Sequence, residues 1–143
     1  MPDVGSADPD VTAALAGYAD GTNGPATVLA ALAETRLLVP VLAVLDEANP
    51  EADGARIEKA SHMATVSTIG LDGRRGLLAF TGLASLRRWK PDARPVPAPA
   101  PAVAAAALEE GAHAIVVDIA GPVLFSIEGV DLRGLADRWT RRG

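Results

Sequence analysis

A tight-turn dipeptide between two apolar runs is the feature that most restricts what this chain can fold into. Asp72-Gly73 separates the alternating run 64–69 from the apolar run 77–80. Asp-Gly readily supplies the positive φ that a short connection between antiparallel strands requires. The pattern therefore predicts a β-hairpin over residues 64–80, and the fold must contain a sheet that accommodates it.

Three further segments have the composition of strands. Residues 36–45 form a continuous apolar run of branched side chains, which is typical of a strand covered on both faces. Pro40 interrupts this run and cannot donate to a ladder, so the strand needs an edge position or a bulge there. Residues 113–118 and 122–127 predict two more strands around a turn.

Helices are predicted from apolar spacing together with start and stop residues. Pro25 suits a first helical position, Pro101 opens an alanine-rich helix, and Gly111 suits its left-handed end. The proline-rich segment 91–101 fits either a polyproline linker or a short edge strand around Arg94, and we favour a surface connection. The predicted helices cover 10–17, 25–34, 83–89, 101–110 and 131–138.

These elements predict a single α/β (α+β) domain in which helices flank a mixed sheet of about five strands. A chain of 143 residues suits one domain and buries about two-thirds of its unfolded surface. The core should be aliphatic, because aromatic residues make up only 3% of the chain. We expect residues 1–22 to form an acidic segment, poorly ordered or partly helical, and residues 23–143 to form the domain.

Composition excludes several functional classes. The chain has no cysteine, so it offers neither a disulfide framework nor a thiolate metal site. Its net charge of −5 repels phosphates at long range, which disfavours nucleic acid as a partner. The first eight residues carry acids where a secretory signal needs Lys or Arg, and no apolar run reaches the length of a membrane span. We expect a cytoplasmic protein without a membrane partner.

Ser61-His62 suggests nucleophilic catalysis, but the spacing argues against it. Adjacent strand residues point to opposite faces, so His62 is poorly placed as a base for Ser61, and His113 would have to serve. His113 and Asp118 likewise fall on opposite faces of one predicted strand, and no His-Glu-x-x-His motif is present. We expect no catalytic, cofactor-binding or metal-binding residue. The alternative is an enzyme or small-ligand site near Ser61/His62.

Six of the thirteen Lys and Arg residues lie between positions 74 and 94. If the hairpin tip and the following helix are neighbours, these cations form one surface that could bind a protein partner; the competing interpretation is an ordinary solvated face. Lys59 and Ser61, two positions apart on a strand, would share a face. The predicted partner surface comprises Lys59, Ser61, Arg74, Arg75, Arg87, Arg88 and Lys90.

Several short motifs occur in a recognisable order and spacing. They are Leu-Val-Pro-Val at 38–41, Lys-x-Ser-x-Met at 59–63, Phe80-Thr81, Trp89, and Asp118-x-x-Gly121-Pro122. In this order the chain, from about Leu29 to the C-terminal helix, resembles the SseB N-terminal domain, a bacterial family whose members mostly lack an assigned activity. His62 departs from the acidic residue expected at that point. The resemblance implies a small α/β domain and transfers no activity.

The sequence therefore favours a non-catalytic cytoplasmic interaction or regulatory domain, because scaffold residues are plentiful while convergent titratable groups are not. The expected partner is another protein, and self-association is left open.

Overall fold

A computed structural model describes residues 5–45, 61–70 and 72–142 of the chain. Helices and strands are interleaved along these residues. The helices are α1 (Pro9–Asp20), α2 (Pro25–Ala33), α3 (Leu83–Trp89), α4 (Ala100–Glu109) and α5 (Gly129–Arg142). The strands are β1 (Arg36–Leu45), β2 (Ser61–Thr65), β3 (Ser67–Ile69), β4 (Arg75–Ala79), β5 (Arg94–Pro99), β6 (Ala114–Val117) and β7 (Phe125–Glu128).

The strands of the described residues form two sheets that meet at one point. One has the order β2-β1-β5 and the other β3-β4-β6-β7. Only β4 and β6 pair in parallel; the other described pairs are antiparallel. Leu38 and Phe80 join the sheets by exchanging two backbone hydrogen bonds of 2.7 and 2.8 Å. The predicted α/β class, with its hairpin and flanking helices, is confirmed, and the described part holds seven strands.

Pro40 explains why the sheet divides. It lies in the central strand of its sheet, not at an edge. The β1–β2 register, which pairs Val41 with Thr65, would place Val66 opposite Pro40. Proline has no N–H to donate to the carbonyl of Val66. That carbonyl instead accepts from Leu78 N–H of β4 at 2.9 Å, so the chain changes partner between β2 and β3.

The proline-rich segment forms β5, so the surface connection favoured from the sequence is wrong and the edge-strand alternative is right. Val96 pairs with Val39, and Ala100 N–H donates to Thr35 at 3.0 Å. Even-numbered residues of β5 therefore direct their backbone groups toward β1. Pro95, Pro97 and Pro99 occupy the positions whose backbone groups point away from β1. The pairing of β5 with β1 therefore needs no N–H from these prolines.

The predicted hairpin turn is present between β3 and β4. Gly73 has φ of 82°, its N–H donates to Gly70 at 2.9 Å, and Arg74 N–H donates to the Asp72 carboxylate at 3.0 Å. The register pairs Ser67 with Leu77. The first strand of the hairpin is shorter than predicted, since residues 64 and 65 belong to β2.

Replacing Gly73 by valine should lower the free energy of unfolding by about 1 kcal/mol or more, because a branched residue is strained at positive φ. Nothing lies within 4 Å of a Cβ placed there, so the effect reports backbone conformation and not crowding. Urea denaturation measures it. Gly73→Asn is the matched control, since asparagine tolerates this conformation; equal stability of Gly73→Val and wild type would contradict the turn.

Both faces of β4 are buried, which accounts for its continuous apolar sequence. Leu77 and Ala79 belong to the main core between the four-stranded sheet and the helices α1, α2, α4 and α5. Leu78 and Phe80 belong to a second, smaller core that is covered by α3. Successive residues thus serve opposite faces, as the period of a strand requires.

The predicted helices are all present, with shifted ends. Pro25 begins α2 and Gly111, at φ of 81°, follows α4 as predicted. The first helix is longer than predicted; its N-cap is Asp8, whose carboxylate accepts from two backbone N–H groups, and Val11 and Leu15 are buried in the main core. The segment 46–56, whose four acids and Asn-Pro and Asp-Gly pairs predict a solvated loop, lies outside the described residues.

Candidate functional site

A cavity of about 500 Å³ opens where the parallel strands β4 and β6 reach their carboxyl ends. This is the position at which α/β sheets commonly hold ligands, because the chain leaves neighbouring strands there and a crevice forms. Its walls come from α1, the start of α3, the segment preceding α1 and the loop between β6 and β7. We call this cavity the Asp118 pocket. Its apolar walls include Leu15, Leu83, Pro122 and Val123.

The carboxylate of Asp118 organises the floor of the pocket. The side chain is only 2% exposed. Its Oδ1 accepts from Thr81 N–H at 2.9 Å and its Oδ2 accepts from the Thr81 hydroxyl at 2.8 Å. Burial raises the pKa of this carboxyl above its ordinary value, while hydrogen bonds from Thr81 and Ser85 lower it by less. Asp118 thus ties the end of β6 to the chain that leaves β4.

The backbone around Asp118 forms a turn that shapes one wall. Asp118 has φ of 55°, its N–H donates to Ala79 at 3.0 Å, and its carbonyl accepts from Gly121 N–H at 2.9 Å. Aspartate is among the few residues that tolerate this left-handed conformation. A cis Gly121-Pro122 bond follows and brings Pro122 and Val123 to the pocket. The turn predicted at Asp118-Gly121-Pro122 is confirmed.

The segment before α1 closes the opposite wall. Gly5 accepts from Leu83 N–H at 2.7 Å, and Arg36 donates 2.7 Å hydrogen bonds to the carbonyls of both Ser6 and Thr81. A Cβ on Gly82 would lie 2.8 Å from Ala7 N, so only glycine allows this approach. Arg36 therefore fixes the segment to the same loop that Asp118 holds.

The alternative site near Ser61/His62 draws on residues from two sheets. Ser61 and His62 lie on β2, where their backbones pair with Leu45 and Val44. His113 precedes β6 and Asp118 follows it, so about 16 Å of extended chain separates them. Of His113 and Asp118, only Asp118 lines the pocket. The described residues contain no group of His, Asp and Glu side chains that could hold a metal ion.

The cations predicted to form one partner surface fall into two groups at opposite ends of β6. Arg75 donates from Nη2 to the carbonyl of Glu110, just before β6. Arg88 donates from Nε to the carbonyl of Ala120 at 3.3 Å, just after β6. Arg74 lies with the first group at the hairpin tip, and Arg87 and Lys90 lie with the second on and after α3. Lys59 lies outside the described residues.

No sequence motif marks Thr81, Ser85 or Arg36 as members of a site. Asp118 offers the one usable signal, since an acid directly after an apolar strand stands at the carboxyl edge of a sheet. Its partners come from residues about forty positions away, and their contact depends on β4 and β6 being parallel neighbours.

Among the described residues, no helix has the length and apolar character needed to cross a membrane.

Comparison with known proteins identifies the domain. No curated protein and no solved structure matches the chain. The family model of the SseB protein N-terminal domain matches residues 11–133, from α1 to within α5. That match covers most of the chain and includes β4, β6, Asp118 and the loop that follows, so this protein belongs to the SseB N-terminal domain family.

Proposed function

We propose that this domain is a non-catalytic cytoplasmic module that binds another protein, and that the Asp118 pocket receives an apolar side chain of that partner. The observation that carries the proposal is the pocket itself. Its volume of about 500 Å³ falls within the range of binding cavities, and apolar side chains from three elements line it around a few hydroxyl groups.

The chemistry of the pocket favours binding over catalysis. Among the described residues that line it, Asp118 is the only titratable one. General acid–base and nucleophilic mechanisms need a second group within hydrogen-bonding reach of the reacting atoms. Both oxygens of Asp118 already accept hydrogen bonds from Thr81, which suits a carboxylate that holds the loop in place.

The surface around the pocket favours a protein segment over a small molecule. Leu124 follows the pocket residue Val123 and is 50% exposed. Tyr18, one turn after Leu15 on α1, is 37% exposed and packs edge-on against Phe125, with ring centroids 5.1 Å apart. Exposed apolar side chains thus stand on two of the elements that line the pocket, α1 and the β6–β7 loop. Apolar groups beside a cavity extend the surface that a protein segment can cover.

Filling the pocket should weaken recognition without unfolding the protein. Ala16 is an exposed residue of α1 that lines the pocket, so Ala16→Phe introduces a bulky ring at its wall. Random peptides displayed on phage are selected on the wild-type domain, and their affinities are compared by fluorescence polarisation. We expect Ala16→Phe to weaken the selected peptides roughly tenfold or more.

Ala106→Phe is the matched control, because Ala106 is an exposed helical alanine of α4 that does not line the pocket. This variant should bind like wild type, and both variants should keep the wild-type melting temperature within a few degrees. Failure to enrich any peptide, or equal binding to Ala16→Phe and Ala106→Phe, would refute the pocket as the binding site.

A further inference from the structure

The helix that forms one wall of the Asp118 pocket also carries a concentrated positive charge. The first turn of α3 contributes Leu83 and Ser85 to the pocket. Arg87 and Arg88 lie in its last turn, Lys90 follows, and residues 82–90 contain no acid. Asp92 is the nearest acid after them in sequence. In a chain with a net charge of −5, this places a local cationic edge beside an apolar cavity.

The contacts of Arg88 connect this cationic edge to the pocket wall. Its Nε donates to the carbonyl of Ala120. Its Nη2 lies 3.4 Å from the point where a Cβ added to Gly121 would stand, and Gly121 precedes the pocket residues Pro122 and Val123. The side chain is exposed, and a guanidinium carries five N–H donors in a fixed fork that matches a carboxylate. Arg88 is thus held over the loop while its side chain stays exposed.

The spacing of residues along α3 sets the distance between the apolar pocket and the cationic edge. Leu83 and Arg87 stand four positions apart, which corresponds to about 6 Å along the helix axis. An extended peptide covers that distance in about two residues. A segment whose apolar side chain enters the pocket would therefore bring a residue two or three positions away next to Arg87 and Arg88.

We infer that the partner segment is acidic: it carries Asp or Glu two or three residues from the apolar side chain that occupies the Asp118 pocket. This inference rests on the proposed function and adds the charge of the partner to it. The apolar side chain supplies the burial, while the carboxylate pairs with the exposed guanidinium groups and fixes the direction of the bound segment.

The same selection of phage-displayed random peptides tests the inference through the sequences of the enriched peptides. Enriched peptides should share an apolar residue followed or preceded at that spacing by Asp or Glu. The double variant Arg87→Glu/Arg88→Glu should bind them roughly tenfold more weakly, and added salt should weaken the wild type more than this variant. Replacing the peptide acid by lysine should restore binding to the double variant and weaken binding to wild type.

Arg74→Glu/Arg133→Glu is the control, because it makes the same change in net charge at two exposed arginines that do not line the Asp118 pocket. It should bind the peptides nearly as wild type does. Peptides that depend on Ala16 but not on Arg87 and Arg88 would overturn the acidic partner and leave the proposed function intact. Peptides that are insensitive to Ala16→Phe would overturn the proposed function itself.

Discussion

Replacement of Phe80 by alanine is expected to lower the free energy of unfolding by about 3–5 kcal/mol. The side chain is fully buried in the second core, and its ring centroid lies 5.5 Å from that of Trp89. Truncation removes apolar surface from burial and leaves a cavity between β4 and α3, at the residue whose backbone joins the two sheets through Leu38. Urea denaturation followed by circular dichroism gives the change.

A conservative substitution separates packing from backbone pairing. Phe80→Leu keeps the backbone bonds to Leu38 and most of the buried surface, so its loss should be clearly smaller. Because the chain has two tryptophans, a Trp139→Phe background leaves Trp89 as the sole indole reporter of this core. A loss below about 1 kcal/mol in Phe80→Ala would contradict a closely packed second core.

Replacement of Asp118 by alanine is expected to cost about 2–4 kcal/mol in stability, for two reasons. The Thr81 N–H loses its acceptor in a buried environment, and alanine at φ of 55° is strained. The variant should also lose peptide binding, because the loop that carries Pro122 and Val123 is no longer tied to β4. Chemical denaturation and the peptide assay measure the two effects.

Asp118→Asn is the control for shape, since asparagine tolerates the left-handed conformation and retains one oxygen for Thr81 N–H. The stability of wild type relative to this variant should depend on pH. Burial raises the folded-state pKa of Asp118 above the unfolded value of about 3.9, so the folded state binds the proton more tightly. The relative stability of wild type is therefore greatest below that value and falls as pH rises through the folded-state pKa. A difference that increases with pH would contradict the dominance of burial.

Much of the fold can be predicted from residues that are close together in the sequence. The bounds of β1, the Asp72-Gly73 turn, Pro25 at the start of α2 and Gly111 after α4 are readable from the sequence, because turn and cap residues act on the few residues beside them. These features identify the elements and their order. They do not say which strand pairs with which.

The errors occur where the pairing partner decides the structure. The sequence predicts that Pro40 lies at a sheet edge or in a bulge. In the structure it does neither: the carbonyl of Val66, opposite Pro40, accepts a hydrogen bond from Leu78 N–H on another strand. The sequence of residues 94–99 fits a linker or an edge strand, and the surface connection that we favoured is wrong because these residues pair with β1. In each case the sequence pattern alone leaves the choice open, because it indicates that a segment suits a sheet and does not specify the neighbouring strand.

In the candidate site, too, some features follow from neighbouring residues and others depend on how the strands pair. Asp118 is visible in the sequence as a turn residue, and its tolerance of positive φ is a local property. Its pairing with Thr81, and the bond from Arg36 to the same loop, require β1, β4 and β6 to be assembled. Likewise, the cations of residues 74–94 are close in sequence but are divided by β6 in the fold.

The alternate prolines of β5 limit how this domain can associate. Within the described residues, Pro95, Pro97 and Pro99 lie on an outer edge of the three-stranded sheet, where a newly added strand would need amide hydrogens as donors. At these three positions the edge has carbonyl acceptors but no N–H donors. Neither a partner chain nor a second copy can therefore extend the sheet there with a full hydrogen-bond ladder. Natural proteins use this device against fibril growth. The exposed Val96 thus lies on an edge that cannot offer another chain a full hydrogen-bond ladder.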